Sequence, residues 1–208
     1  MVTNRKRKKR NAVSIEAYLW PGGVVPYVFA TGYSKRLDAR AMDVIMEETC
    51  IQYRPKEADD ENWMQIGEES PGCFAMIGRG NTETTVNLAA DCTNAMGRVQ
   101  HELLHALGFW HEHSRSDRDD YVTVVWENIQ EDSADNFEKR TSNIDNQNIG
   151  YDYGSVMHYA EDFFTKVEGE PTLVTSRPEG AAIGQRVLMS PSDYAGVNIR
   201  YGCPSMNR

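Results

Sequence analysis

The chain has 208 residues, of which 40% are apolar and 25% are charged, a composition typical of a globular protein with one sizeable core. Its net charge of -9 argues against a nucleic-acid-binding protein, because phosphate binding needs a basic face. No apolar run is long enough for a transmembrane helix, which argues against a membrane-spanning segment in this sequence.

The first ten residues differ from the rest, because they carry six Lys or Arg side chains and no acid. The string Arg7-Lys8-Lys9-Arg10 resembles a cleavage site of secretory-pathway convertases, so we expect processing between Arg10 and Asn11. A nuclear or heparin-binding signal and a solvated disordered tail are the alternatives. No apolar segment of a signal peptide follows the arm, which taken literally argues for the cytosol; we instead expect a secreted protein with an incomplete N-terminus in this sequence.

Strand and helix patterns alternate in the first half of the chain. The apolar run Val24–Phe29 follows a Pro-Gly-Gly turn and predicts a strand. Apolar side chains at helical spacing predict an amphipathic helix over Lys35–Thr49. Short strands are predicted at Trp63–Ile66 and Thr84–Leu88. This interspersed pattern indicates an α+β lobe.

The cysteines favour an oxidising compartment. There are four, and none forms a C-x-x-C pair, which argues against a zinc ribbon or a thioredoxin-type redox site: Cys50, Cys73, Cys92 and Cys203. An even number at wide spacing is typical of two disulfides. Four buried free thiols are the alternative, and the sequence alone permits three disulfide pairings.

A second predicted helix carries the chemistry. Thr93 or Asn94 can cap it, and it runs to Leu107 before Gly108. Within it, the string His101-Glu102-Leu103-Leu104-His105 has the pattern H-E-x-x-H. Side chains four residues apart share a helix face, so both imidazoles can bind one ion.

The residues after this helix complete a metal site. Gly108 readily adopts a positive φ, so it can end the helix and turn the chain back, which makes His111 a third ligand. Three protein ligands and an open position are typical of a catalytic zinc. Glu102 can reach a water in that position and act as general base. A pair of core histidines is disfavoured, because four of the five histidines lie within residues 101–113.

The second half is predicted to be loop-rich. Tyr121–Trp126 is an apolar run that fits a strand or a helix, and Asp132–Tyr153 is polar and irregular. Ser190 and Pro191 supply an N-cap and a first-turn proline for a terminal helix through about Arg200. We therefore expect a basic arm over residues 1–10 and a single catalytic domain over 11–208, with lobes at about 11–107 and 108–208.

The extended string from His101 to His111 is the motif of the metzincins, and the chain from about residue 11 to residue 204 resembles the astacin family among them. The strings that carry the resemblance are His111-Glu112, Arg115-x-Asp117-Arg118-Asp119, Ser155-Val156-Met157-His158-Tyr159, Thr49-Cys50-Ile51, Gly72-Cys73, Ile183-Gly184-Gln185-Arg186 and Tyr201-x-Cys203.

This resemblance implies a zinc metalloendopeptidase with a metzincin-type fold. The expected N-terminal lobe has a twisted, mostly parallel sheet and two long helices. The C-terminal lobe is loop-rich, and an active-site cleft separates the two. The resemblance implies one Zn²⁺ per chain on His101, His105 and His111, with Glu102 as general base.

Further roles follow from the same resemblance. Met157 would form the floor of the metal site, and Tyr159 would be an additional ligand that swings away to stabilise the oxyanion. Glu112 would meet the mature N-terminus, and we expect it to be under-satisfied until the arm is removed. The implied disulfides are Cys50–Cys203 and Cys73–Cys92. We interpret His158 as structural and His113 as a surface residue.

Protein or peptide substrates, and an activating protease at the arm, are the expected partners of a monomer that binds neither nucleic acid nor membrane. We expect substrates to bind along Thr84–Leu88, although Gly80–Glu83 departs from the family pattern. Arg177 and Arg186 are candidates for lining the primed-side pocket, where they would favour acidic residues, or else belong to structural ion pairs. A catalytically silent binding protein and a glycan- or nucleic-acid-binding protein are the competing functions.

Overall fold

The computed structural model describes residues 12–13, 16–33, 36–142, 144–145, 149–176 and 180–204. Helices, strands, turns and short 3₁₀-helices make up this part of the chain. In chain order the elements are β1 (Ala12–Val13), β2 (Val24–Phe29), α1 (Arg36–Glu48), β3 (Gln52–Pro55), β4 (Trp63–Gly67), β5 (Cys73–Ala75), β6 (Glu83–Leu88), α2 (Met96–Ala106), β7 (Val122–Val124), β8 (Ile144–Asp145), β9 (Leu173–Thr175) and α3 (Pro191–Arg200).

The first half of the fold is built on a five-stranded sheet with the order β3-β2-β4-β6-β5. The first four strands in this order run parallel, and β5 is antiparallel to β6 at one edge. The strand predictions at Val24–Phe29, Trp63–Ile66 and Thr84–Leu88 are confirmed to within one residue. No sequence pattern indicates β3 or β5, because both strands are short and half-exposed.

Helix α2 crosses this sheet near β5 and β6 and packs against α1. The side chains of Val99, Leu103 and Leu104, on this helix, are buried in the core. Two aromatic side chains complete its C-terminal end: Trp20 Nε1 donates to the carbonyl of Ala106 at 2.9 Å, and Tyr201 Oη donates to that of Leu107 at 3.1 Å. These bonds satisfy carbonyls that a helix end leaves unpaired, and so fix where the helix stops.

The predicted cap of α2 is wrong. Cys92–Asn94 forms a 3₁₀ turn, and the helix begins after Ala95, which makes no side-chain cap. The cap of α3 is confirmed: Ser190 accepts from the backbone N–H of Asp193, whose side chain returns the bond in a capping box. Helix α2 is stabilised by burial of most of its residues and does not need a side-chain cap. Helix α3 begins at the surface, where the cap satisfies its first N–H groups.

The second half is loop-rich, as predicted, with a small core of its own. β7 pairs with β9, and β1 pairs with β8, in two short antiparallel ladders. Buried residues of this second core are Val122, Ile129, Phe137, Tyr159 and Leu173. The predicted α+β class is therefore confirmed. None of the helices in the described ranges is both long and apolar enough to cross a bilayer.

Two disulfides tie the fold together, Cys50–Cys203 and Cys73–Cys92. The first closes a loop with a sequence separation of 153 and joins the end of α1 to the segment after α3. The second joins β5 to the turn before α2. By the chain-entropy account each stabilises the folded state by about 3 to 5 kcal/mol.

Asp38, in the first turn of α1, is a buried carboxylate that opposes folding at neutral pH. It is 0% exposed, and neither oxygen has a hydrogen-bond partner within the described residues. Burial raises the pKa of Asp38 from 3.8 to about 6, and the nearby Tyr33 hydroxyl offsets only part of that shift. Because the folded pKa is the higher one, the cost is absent well below pH 3.8 and grows as pH rises through 6.

We therefore predict that Asp38→Asn stabilises the protein at neutral pH only. At pH 7.5 the variant should gain about 1 to 3 kcal/mol in free energy of unfolding over wild type, and at pH 4 the gain should be small. Denaturant unfolding at both pH values measures the difference. The control is Asp43→Asn, an exposed acid on the same helix. An Asp38→Asn gain that is equal at the two pH values would contradict this interpretation.

Candidate metal centre

The backbone brings three histidines together as the spacing predicts. His101 and His105 lie one turn apart on the buried face of α2. Gly108 has a φ of 95°, in the left-handed region that favours glycine, and its N–H donates to the carbonyl of His105 at 2.8 Å. The chain therefore leaves the helix axis at this glycine and returns His111 toward the other two rings.

The distances between the three rings fit a zinc ion. The Nε2 atom of His111 lies 3.1 Å from that of His105 and 3.3 Å from that of His101. For Zn–N bonds of about 2.05 Å in a tetrahedron, the expected separation of two nitrogens is about 3.3 Å. The structure thus brings together all three predicted ligands, in a group able to hold a metal.

Backbone carbonyls orient two of these rings. The Nδ1 atom of His101 bonds to the carbonyl of Val156 at 2.8 Å, and that of His105 bonds to the carbonyl of Phe109 at 2.7 Å. With Nδ1 as donor, each ring turns a lone pair on Nε2 toward the centre. Burial lowers the pKa of all three histidines, that of His105 to about 4, so the rings are neutral and ready to bind a cation.

Glu102 and Tyr159 lie in the same cavity as the three histidines. Glu102 is 4% exposed, and its Oε2 atom is buried with no partner among the described residues. Burial raises the pKa of Glu102 to about 8, and Arg186 opposes the shift. The Tyr159 ring centre lies 4.5 Å from that of His111, and burial raises the pKa of the phenol to about 12.

The cavity has a volume of about 800 Å³ and lies between the sheet edge and the loop-rich half. Arg186 lines it, and Arg177 lies outside the described residues. The prediction that substrate binds along Thr84–Leu88 is wrong. This segment lies in β6, which pairs with β4 on one side and with β5 on the other, so neither edge is open to a peptide. Among the described residues β5 pairs only with β6, so it is the edge strand on this side of the sheet, and its residues Cys73, Phe74 and Ala75 line the cavity.

The predicted surface position of His113 is also wrong. The residue is 0% exposed, its Nε2 bonds to the carbonyl of Asn136 at 2.9 Å, and its ring centre lies 3.9 Å from that of Tyr159. The E-H-S string gives no sign of this burial, which comes from distant residues. His158 is buried and bonds to the Tyr151 hydroxyl and the Tyr159 carbonyl, which suits the structural role expected of it.

The carboxylate of Glu112 already has partners. Its Oε1 atom accepts from the backbone N–H of Asp152 at 2.9 Å and from Arg115 Nη1 at 3.1 Å. The expectation that Glu112 is under-satisfied before the arm is removed is therefore wrong. Arg10 and Asn11 lie outside the described residues. Ala12 is fully buried and forms a bridge with Phe109.

A buried hydrogen-bond chain links α3 to the metal centre. Asp193 accepts from Ser155 Oγ at 2.6 Å and from the backbone N–H of Val156 at 2.9 Å. The carbonyl of the same Val156 orients His101. Met157, 3% exposed, lies in the turn that these bonds hold. Sequence reasoning missed Asp193, although the spacing Ser190-x-x-Asp193 was a signal for a capping box.

A second candidate cluster, Cys73, Asp91 and Cys92, does not qualify as a metal site. Its two sulfurs are joined in a disulfide. Thiolates, which are the metal-binding form of cysteine, are therefore absent from this cluster. The three histidines remain the candidate metal centre of the described residues.

Comparison with known proteins agrees with this geometry. The profile of the family described as Astacin (Peptidase family M12A) matches residues 12–202. The zinc metalloproteinase nas-15 of Caenorhabditis elegans is 40% identical over 198 residues, which are 93% of this chain and 34% of the relative. High choriolytic enzyme 1, a hatching enzyme zinc-protease of the medaka Oryzias latipes, superposes with a TM-score of 0.87 at 34% identity, covering 93% of this chain and all of that one.

More distant matches show the fold alone. Myroilysin superposes with a TM-score of 0.61 at 17% identity, covering 91% of this chain and 98% of that one. The chain spans between about a third and a half of the length of the first curated relatives.

We predict that Asp193→Asn weakens zinc binding. The amide keeps one acceptor oxygen and replaces the other by an N–H₂ group, so either Ser155 Oγ or the N–H of Val156 loses its acceptor and the anchor of the Met157 turn is weakened. Loss of such an outer hydrogen bond typically costs about 10- to 100-fold in metal affinity. Competition with a chelating dye measures the zinc Kd.

The control is Ser190→Ala, which removes the cap of α3 and the bond from Ser190 Oγ to Asp152 but leaves the Asp193 bonds to Ser155 and Val156. It should lower the free energy of unfolding by about 1 kcal/mol and change the zinc Kd little. If both variants weakened zinc binding equally, Asp193 would act only through the stability of α3.

Proposed function

The chain belongs to the astacin family of zinc metalloendopeptidases, peptidase family M12A, and from this membership we propose that it is the catalytic domain of a secreted endopeptidase. The observation that carries the proposal is the convergence of three neutral imidazoles beside Glu102, whose Oε2 atom has no partner among the described residues, inside a cleft lined by the edge strand β5. A binding protein on the same fold would not need this carboxyl.

His101, His105 and His111 would hold the zinc through their Nε2 atoms. When bound, the ion supplies Lewis acidity, which makes a coordinated water more acidic and polarises a carbonyl oxygen. Glu102 follows the first ligand on the same helix face, so its carboxyl accepts the proton of the attacking water and returns it to the departing amine nitrogen. The buried position of Glu102 keeps competing water away from this transfer.

Tyr159 has a separate role in the proposal. Its phenol remains protonated because burial raises its pKa to about 12, so the hydroxyl can donate a hydrogen bond to the oxygen on which negative charge develops. The ring packs on His113, which supports it from the side of the second core. Met157 forms the apolar floor of the site and does not take part in proton transfer.

Substrates of the proposed enzyme are extended polypeptides. β5 offers an unpaired strand edge on the cavity wall, and a peptide can add to such an edge through main-chain hydrogen bonds. Arg186 lines the same cavity and would favour an acidic residue on the primed side. Its Nη1 atom donates to the carbonyls of His158 and Gln185, so this cation has a fixed position.

The remaining organisation is proposed on similar grounds. Residues 1–10 are a processing arm, and residues 11–208 are one catalytic domain with the lobes given above. The two disulfides support an oxidising compartment outside the cytosol. We expect a monomer, which sedimentation equilibrium tests directly.

We predict that Glu102→Ala and Tyr159→Phe separate zinc binding from catalysis. Each variant should still bind one zinc per chain, because the three imidazoles are unchanged. Glu102→Ala should lower kcat by about 10²- to 10⁴-fold, the usual contribution of a general base. Tyr159→Phe should lower kcat by about 10²-fold with little change in KM. Metal analysis and cleavage of a quenched peptide library measure both effects.

The wild-type protein should lose all peptidase activity with a chelator and regain it with zinc. No peptide cleavage by the zinc-loaded wild-type protein after removal of residues 1–10 would contradict the proposed function. Activity that persists in Glu102→Ala would assign the proton transfer to another residue.

We also predict that removal of the basic arm activates the enzyme. Cleavage after Arg10 would create an ammonium group on Asn11, which directly precedes the buried Ala12 in the chain, and we propose that this charge adds to the contacts that the Glu112 carboxylate already makes with Arg115 and Asp152. The arm contains no Asp, Glu, His or Cys, so it cannot inhibit through a metal ligand of its own. Activity should rise on incubation with a convertase, and Arg10→Ala should block both cleavage and activation. Equal activity before and after cleavage would contradict this role.

A further inference from the structure

The charged side chains of the cleft are mostly cationic, although the chain as a whole has a net charge of -9. Apart from the three zinc-site histidines, the titratable side chains that line it include Arg98, Arg140 and Arg186, and Glu102 is the acid among them. Field lines are concentrated in a cleft with low-dielectric walls, so these cations act strongly on a bound peptide.

Two of the three arginines already have partners. Arg98 Nη1 donates to the carbonyl of Asp91 at 3.0 Å, and it lies 3.9 Å from the Asp91 carboxylate. Arg186 Nη1 donates to two backbone carbonyls at 2.9 Å each. These contacts use part of the hydrogen-bonding capacity of both guanidinium groups.

Arg140 is held differently. Its guanidinium carbon lies 4.2 Å from the centre of the Trp110 ring, and its backbone N–H donates to the carbonyl of Ser114 at 2.7 Å. The Nε atom is buried without a hydrogen-bond partner. No ion pair of this side chain occurs within the described residues. The stacked ring therefore holds in place a cation for which no side-chain hydrogen bond or ion pair occurs within the described residues, and its terminal Nη groups are the donors that a ligand in the cavity would meet.

A carboxylate is the group that fits this cation. A guanidinium presents its N–H donors in a planar fork that matches the two oxygens of a carboxylate, and a stacked aromatic ring leaves the edge of the fork available. Trp110 and Arg140 both line the cavity that holds the three histidines. Arg140 and β5 line the same cavity, so a peptide that adds to β5 would pass through the space that Arg140 faces.

We propose that Arg140, stacked on Trp110, is a specificity-determining residue that binds one acidic side chain of the substrate, at a subsite distinct from that of Arg186. The proposal rests on the endopeptidase function proposed above.

Arg186 and Arg140 are held in place by contacts near different ends of α2. The backbone of Arg186 packs against Gly97 in the first turn of this helix, where a Cβ atom would collide with it. Trp110 follows the end of the same helix, beyond Gly108. The two cations are therefore anchored near opposite ends of the helix that carries His101 and His105, and they read different positions of one substrate.

The test compares pairs of quenched peptides that differ by Glu against Gln at one position at a time. All peptides are acetylated and amidated, so that a chain terminus cannot supply the negative charge. For wild type we expect kcat/KM to favour Glu at two positions. In Arg140→Met the preference should fall about tenfold at one of them and persist at the other. In Arg186→Met we expect the preference for Glu to fall at the second of these positions and to persist at the first.

Arg98→Met is the matched control, because it removes the same charge from the same cavity wall. For Arg98→Met the Glu-to-Gln ratios of kcat/KM should stay close to those of wild type. Equal losses of preference in Arg98→Met and Arg140→Met would mean that the positive charge of the cleft as a whole, and not a subsite at Arg140, favours Glu. Unchanged ratios in Arg140→Met at every position would overturn the inference while leaving the proposed function intact. Absence of cleavage of every peptide by the wild-type protein would instead overturn the proposed function.

Discussion

The geometry of the metal centre depends on one contact between the two halves of the chain, the hydrogen bond from His101 to the carbonyl of Val156. α2 alone fixes the spacing of two imidazoles but not the rotation of their rings. The carbonyl of Phe109, just past the helix end, orients the ring of His105, but the ring of His101 is oriented by a carbonyl in a turn more than fifty residues away. The turn is held in its place by Asp193 of α3, so three distant segments must fold before the site exists.

Burial has two effects at this centre. It removes positive charge from the imidazoles and so prepares them for a cation, and it destabilises the ionised form of Glu102. The burial of three histidines, and of a Glu102 oxygen that has no partner among the described residues, lowers the free energy of unfolding. Such a site is retained because the metal and the substrate provide the missing interactions. The two disulfides and the sheet core compensate for this local cost.

The sequence predicted those parts of the fold and of the candidate site that depend on local spacing. The ligands, the break at Gly108 and the start of α3 at Ser190 are all encoded within a few residues. The pairing of strands was not predicted, because it depends on contacts between residues that are distant in sequence. β5 has three residues and becomes recognisable only beside β6, and the error over the free edge followed from that. The burial of His113 and the stacking of Arg140 on Trp110 likewise need contacts that no local pattern contains.

The short length of β5 has a consequence for turnover. In the proposed enzyme, a strand of three residues would offer only a few main-chain hydrogen bonds to a docked polypeptide, so each cleaved fragment would be held weakly and could diffuse away. A long open edge with exposed apolar side chains such as Phe74 and Met76 would also invite copies of the chain to stack into aggregates. Brevity at this edge thus serves both product release and solubility, and the cystine at Cys73 keeps so short a strand from fraying.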